Sequence, residues 1–251
     1  MSIGQDDLSS PSRVGAAAFF DAVAAFYDRV YAPDGLAHRT RMAALLGHLA
    51  GHGGPEAASA GEGVGARTAT ELLVLGVGTG RELPTLLDAG FATFGVDCSQ
   101  KMLDQCAKRA RCGVLTRANF WGPLPFAAGA FGAAVALHGT LAHPPDRESP
   151  RRLALELSRV LRAGAPLVME VPTLEWFQSC SAVPLTSEIP GVLTIRDGYA
   201  VFCDKRSGAT IGGCVVGPLG WLESLAPYFT CNLHNISPDE IRIVGVRRSS
   251  P

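Results

Sequence analysis

The sequence predicts an α/β protein: a mostly parallel sheet covered by helices on both faces, with helices ahead of it and a β-rich segment before its last strands. Three observations carry this. Between residues 71 and 171, short apolar runs alternate with stretches of helical periodicity. The first run, LLVLGVGTGRE (72–82), ends in glycines spaced one apart and leads into a helix. The second ends in an acid, Asp97, within GVDCSQKML (95–103).

The 251 residues make a single domain overall, long enough to bury a substantial core. Residues 1–15 are acidic and polar, lack the positive start of an export signal, and read as a disordered tail. Residues 16–67 form a helical lid and linker. Apolar residues recur at helical spacing from Phe19 to Tyr27 and from Met42 to Leu49, and Pro33-Asp34-Gly35 divides them into two helices. The stretch AAAFFDAVAAF is broken by Asp21 and falls short of the ~20 apolar residues of a membrane span. Residues 51–67 are rich in glycine and alanine without periodicity.

The core, 68–173, has strand signals at 71–76, 92–97, 113–117, 133–138 and 166–171, and helix signals at 80–89, 99–111 and 147–162. Strands joined through helices imply right-handed crossovers and a parallel sheet, with a ligand at the carboxyl ends of the strands. From 174 to 251 the pattern turns β-rich. Two or three strands with turns at Asp197-Gly198 and Arg206-Ser207-Gly208 precede a short helix (219–228) and two final strands.

A net charge of −1 and a pI near 6.6 give no general attraction to nucleic acid or to acidic membranes. The seven cysteines contain no C-x-x-C pair and read as reduced thiols, so the expectation is a soluble, cytoplasmic protein with neither nucleic-acid nor membrane partner.

The glycine spacing selects the ligand. A dinucleotide fingerprint would need glycine at 81, where the chain has Arg81. Gly76-Val77-Gly78-Thr79-Gly80 is instead the spacing of a turn that seats an amino acid and a nucleoside with no pyrophosphate between them, and Asp97 stands where a carboxylate grips a ribose diol.

This turn, with Asp97 at the next strand end, resembles motif I of the class I S-adenosylmethionine-dependent methyltransferases. The resemblance implies a Rossmann-like seven-stranded sheet closed by an antiparallel hairpin, with S-adenosyl-L-methionine (SAM) as cofactor. It implies that Gly76, Gly78, Thr79 and Gly80 lie along the methionine portion and that Asp97 accepts from both ribose hydroxyls, with Cys98 and Met102 against the adenine. Asp97 also suits the N-cap of a helix starting near Ser99. Asn119, followed by Phe120, sits where the family has an acid that accepts from the adenine amine. His138 would meet the cofactor largely through its backbone.

VALHGTLAHPP (135–145) lacks the Asn/Asp-Pro-Pro-Tyr of DNA amine methyltransferases and the paired glutamates of arginine methyltransferases. In place of the Mg²⁺-holding aspartates of catechol-type enzymes the chain offers His138 and Glu170. What remains is a metal-independent enzyme acting on an O, N or C atom of a small organic acceptor; the alternative is a non-catalytic, cofactor-binding partner protein. His143 is the candidate general base, since an imidazole titrates near the pH of work. AFYDRVYAP (25–33) resembles the N-terminal Tyr-Asp-x-x-Tyr element of ubiquinone-type methyltransferases, making Tyr27 a candidate that closes over the methionine end. Arg39 and Arg41 read as solvated, and His48 with His52 as a chance pair. Trp176, Phe177, Tyr199 and Phe202 suit either an apolar acceptor pocket or core.

Overall fold

The computed structural model describes residues 15–31, 35–51, 69–109, 111, 113–182 and 191–249. The expected tail, the Pro33-Asp34 break, nearly all of the 51–67 linker and two of the cysteines, Cys112 and Cys180, lie outside the described residues or their described side chains.

Seven strands form one sheet in the order β3-β2-β1-β4-β5-β10-β9. They are β1 (Thr70–Leu75), β2 (Phe91–Asp97), β3 (Val114–Arg117), β4 (Ala133–Ala136), β5 (Pro166–Pro172), β9 (Phe229–Ser237) and β10 (Glu240–Arg247). The pairs β1–β2, β1–β4, β2–β3 and β4–β5 are parallel, while β10 runs antiparallel to both β5 and β9. The expected seven-stranded sheet and its closing hairpin are therefore present.

β1 is the axis of the core, and its unbroken apolar run follows from burial on both faces. Leu73 and Leu75 join the layer under α6 (Ser149–Val160) and α8 (Pro218–Leu225), with Leu157, Trp221 and Phe229. Leu72 and Val74 join the opposite layer with Leu45 and Leu49 of α3 (Gly35–Ala50), Leu86 of α4 (Leu83–Asp88) and Leu103 of α5 (Gln100–Ala107). Strand order reverses between β1 and β4, so the carboxyl ends of β1, β2 and β4 open a crevice where a ligand belongs.

Two segments roof that crevice. The N-terminal one contains three helices rather than two: α1 (Ala16–Val23), α2 (Tyr27–Tyr31) and α3. The chain turns at residues 24–26, which hold neither glycine nor proline. Asp21 accounts for the docking of α1: its carboxylate accepts from Ser99 Oγ (2.5 Å) and the Lys101 N–H (3.1 Å) at the start of α5. The other segment is a helix absent from the sequence reading, α7 (Leu174–Ala182), followed by the antiparallel sheet β6 (Gly191–Arg196), β7 (Tyr199–Asp204) and β8 (Thr210–Cys214). Asp197 and Gly198 both take positive φ (52° and 75°) in the expected hairpin turn.

Candidate active site

Gly76, Gly78 and Gly80 adopt φ of 59°, 53° and 74°, a region in which a side chain costs roughly 1–2 kcal/mol. Their surroundings differ. A Cβ on Gly76 would lie 2.5 Å from Thr140 Cγ2, and one on Gly80 2.3 Å from Cys106 Sγ, so those two glycines allow tight packing. A Cβ on Gly78 would meet only the Gly76 carbonyl oxygen at 3.9 Å, because it would project into open space. Gly78 thus leaves its backbone open to the space beside it.

The Gly78 N–H donates to Asp97 Oδ2 (2.9 Å) and the Ser99 N–H to Oδ1 (2.9 Å). Asp97 is 6% exposed, and burial pushes its carboxyl up against the pull of these donors. It is not the N-cap of α5. That part is played by Ser99, whose Oγ accepts from the Met102 N–H (3.0 Å), which frees Asp97 to brace the glycine turn.

A cavity of about 480 Å³ opens here. Of the residues singled out from sequence, Gly76, Gly78, Asp97, Cys98, Met102, Asn119, Phe120, His138, His143 and Tyr27 all line it. Thr79 and Gly80 do not. The Thr79 hydroxyl turns away to donate to Asp28 Oδ1 (2.6 Å), tying the turn to α2, and Gly80 packs on Cys106. Asn119 Oδ1 accepts from the Trp121 N–H (3.1 Å), closing a local turn at the cavity rim. Trp176, Leu193 and Phe202 of the roof form the far wall, whereas Phe177 belongs to the core. An adjoining cavity of about 540 Å³ shares His143, Asn119 and Trp121 and extends to Arg117, Tyr199 and Thr210.

His143 stands where the two cavities meet. Its Nδ1 is buried with no hydrogen-bond partner, and burial pushes the imidazole down to about 4. The ring is thus neutral at neutral pH but a weaker base than the sequence suggests, because burial disfavours its charged form. Its loop is clamped from above: a Cβ on Gly213 of β8 would lie 2.5 Å from His143 Cα, and the Cys214 N–H donates to the Pro144 carbonyl (2.8 Å).

His138 takes φ +52°, which ends β4 at Ala136, two residues short of the sequence expectation. Its N–H donates to Glu170 Oε2 (3.0 Å). Glu170 is buried within β5 and paired twice. Arg41 Nε and Nη2 reach Oε2 at 2.9 and 2.7 Å, and Arg242 Nη2 reaches Oε1 at 2.7 Å. Burial alone would raise this carboxyl, but the two guanidinium groups and the His138 N–H hold it below its ordinary value. Arg41, expected in solvent, is drawn inward because a buried carboxylate must be paired. Glu240 completes the cluster through Arg41.

Tyr27 stacks on Tyr31 (5.2 Å between centroids), and burial raises its phenol pKa. The Tyr31 hydroxyl donates to Asp204 of β7, and Phe202 packs edge-on to Phe19 (6.0 Å), so the two halves of the roof hold each other. Nothing local in the sequence signals the Tyr31–Asp204 tie.

Residues 73–169 match a family described as "Methyltransferase domain". Over these residues the chain is similar to a methyltransferase domain. Among solved structures, the PH0226 protein from Pyrococcus horikoshii OT3 superposes with a TM-score of 0.63 at 15% identity, over 89% of this chain and 99% of that one. A structure titled as a DhpI–SAH complex gives 0.63 at 16%, over 93% and 95%. The sugar N-methyltransferase KedS8 from Streptoalloteichus sp ATCC 53650 gives 0.60 at 17%, over 99% of both chains. At such identities the likeness establishes the fold. A search of the curated proteins finds no match. The matched residues include the glycine turn, Asp97, Asn119, His138 and His143, and the roof lies outside them. No described helix is long and apolar enough to cross a membrane.

Proposed function

We propose that the protein transfers a methyl group from SAM to an oxygen, nitrogen or carbon of a small organic acceptor. One observation carries this reading: a single cavity runs from the exposed Gly78 backbone and Asp97 to the neutral imidazole of His143, under an aromatic roof. The residues fit the cofactor. Gly78 leaves the space a side chain would fill, and the Asp97 carboxylate retains acceptor sites beyond the two used by backbone N–H groups. Met102, Cys98 and Phe120 offer an apolar slot for a base, and Asn119 stands at its edge.

The sulfonium of SAM supplies an already activated methyl group, which leaves the protein to align the acceptor and exclude water. Asp97 and the glycine turn hold the nucleoside. Tyr27 covers the methionine end. Trp176, Leu193 and Phe202 hold the acceptor, and the neutral ring of His143 can accept a hydrogen bond from an acceptor hydroxyl or from a neutral amine, whose proton leaves once the new bond to the methyl group has formed. The likeness to DhpI in complex with SAH and with SAM agrees with the cofactor, and the likeness to the sugar N-methyltransferase KedS8 agrees with a small-molecule acceptor.

Calorimetry with SAM and S-adenosylhomocysteine, followed by assay of S-adenosylhomocysteine release across amino-sugar, phenol and carboxylate acceptors, tests the proposal. Binding plus acceptor-dependent release is expected. Failure to bind either nucleoside would end the cofactor reading, and binding without release for any acceptor would end the catalytic one.

A further inference from the structure

We infer that His38, Glu82 and His138 form a binding site for one divalent transition-metal ion beside the cofactor cavity. The three come from separate elements: His38 from α3, Glu82 from the turn leading into α4, and His138 from the end of β4. One ligand atom from each lies within 4.8 Å of the other two. Only His138 also borders the cavity, so this is a different place from the cofactor and acceptor positions.

The atoms concerned lack hydrogen bonds of good geometry. His38 Nδ1, Glu82 Oε1 and His138 Nε2 are each buried and make no hydrogen bond. His138 Nε2 is only 2.9 Å from Glu82 Oε1, but out of line for a hydrogen bond. Buried polar atoms without hydrogen bonds are costly, and a cation placed among these three residues would satisfy all of them at once. Glu82 is 6% exposed, so its carboxylate has little access to water. Arg81 Nε stands 3.8 Å from Glu82 Oε1, and Asp28 at 3.7 Å takes up part of that charge.

The donor set names the ion. Two imidazole nitrogens and one carboxylate oxygen suit zinc, cobalt, nickel or iron(II), whereas Mg²⁺ and Ca²⁺ prefer all-oxygen shells. Three protein ligands leave a coordination position for water. An ion here would pin α3, half of the roof, to the glycine turn and to the backbone of His138. The inference does not rest on methyl transfer, since it concerns metal affinity alone.

The test uses the whole chain, stripped with a chelator and titrated with Co²⁺ and Zn²⁺. One equivalent of Co²⁺ is expected, with visible d–d absorption that Zn²⁺ displaces and millimolar Mg²⁺ does not. His38→Ala and Glu82→Gln are each expected to weaken Co²⁺ binding by at least ~10-fold. His234→Ala, which breaks the separate His48–His234 ring contact, should leave it unchanged. Circular dichroism confirms folding, and His38→Asn, at a half-buried position, serves if either variant unfolds. Substoichiometric binding, affinity unchanged in the folded His38 and Glu82 variants, or loss in His234→Ala would overturn the proposal and leave the trio as a polar contact between elements.

Discussion

Replacing Asp97 by asparagine separates the two jobs of its carboxylate. In the unliganded protein both oxygens accept backbone N–H groups, from Gly78 and from Ser99. An ionised carboxylate has about four acceptor sites, so two remain for the ribose hydroxyls. Asparagine keeps one oxygen, and its NH₂ must face one of the two N–H donors. Orphaning that buried donor should lower stability by about 1–3 kcal/mol. For the ligand, two charge-assisted bonds at ~1.5–3 kcal/mol each give way to one neutral bond of ~0.5–1.5 kcal/mol. The net loss is about 2–4 kcal/mol, a rise in Kd of ~30- to ~700-fold. Calorimetry with S-adenosylhomocysteine measures it directly, with thermal unfolding run alongside to show that the variant is folded. Comparison with the 2′-deoxy analogue isolates the hydroxyl: the wild type should discriminate strongly and the variant weakly. A folded Asp97→Asn protein that binds within threefold of wild type, or a wild type indifferent to the hydroxyl, would refute the ribose assignment.

Other outcomes follow from the same geometry. Glu170→Ala leaves Arg41 and Arg242 without their buried partner, and chemical denaturation should register a loss of about 3–5 kcal/mol. Gly78→Ala and Gly80→Ala should diverge: the first chiefly weakens SAM binding in calorimetry, while the second forces a Cβ against Cys106 and chiefly lowers the melting temperature. Because the folded His143 titrates near 4 against ~6.5 unfolded, the unfolded chain takes up its proton first. The contribution of the neutral ring to stability is therefore complete above ~6.5 and fades as pH falls toward 4. His143→Gln should flatten that part of the stability profile, and an undiminished slope would contradict it. Tyr31→Phe removes the hydroxyl tie to Asp204 and should raise KM for the acceptor more than Kd for SAM.

The parts legible in the sequence are those in which neighbours along the chain decide the structure. Leu72–Leu75 read as a strand buried on both faces because both faces are apolar. The glycine turn and Asp97 are separated by one βαβ step, so their spacing alone brings them together. What escaped depends on distant partners. Arg41 resembles any surface arginine until Glu170, 129 residues later, requires a cation. The break between α1 and α2 carries no glycine or proline, and the geometry there answers to Asp21 gripping the start of α5. Leu174–Ala182 has aromatic residues that suit a strand equally well, and only packing against β6 favours the helix.

The hydroxyl of Tyr31 and the carboxylate of Asp204 are 173 residues apart, and their meeting divides the labour of the chain. The groups proposed to hold the nucleoside come from one contiguous stretch, Gly76 to Phe120, built on local connections. The wall facing the acceptor is assembled from both flanks of that stretch and exists only once the whole chain has been made. Inheritance can then act on the two halves separately: exchanging the β6–β8 segment for a relative's would redirect the choice of acceptor while the grip on the cofactor passes on unaltered.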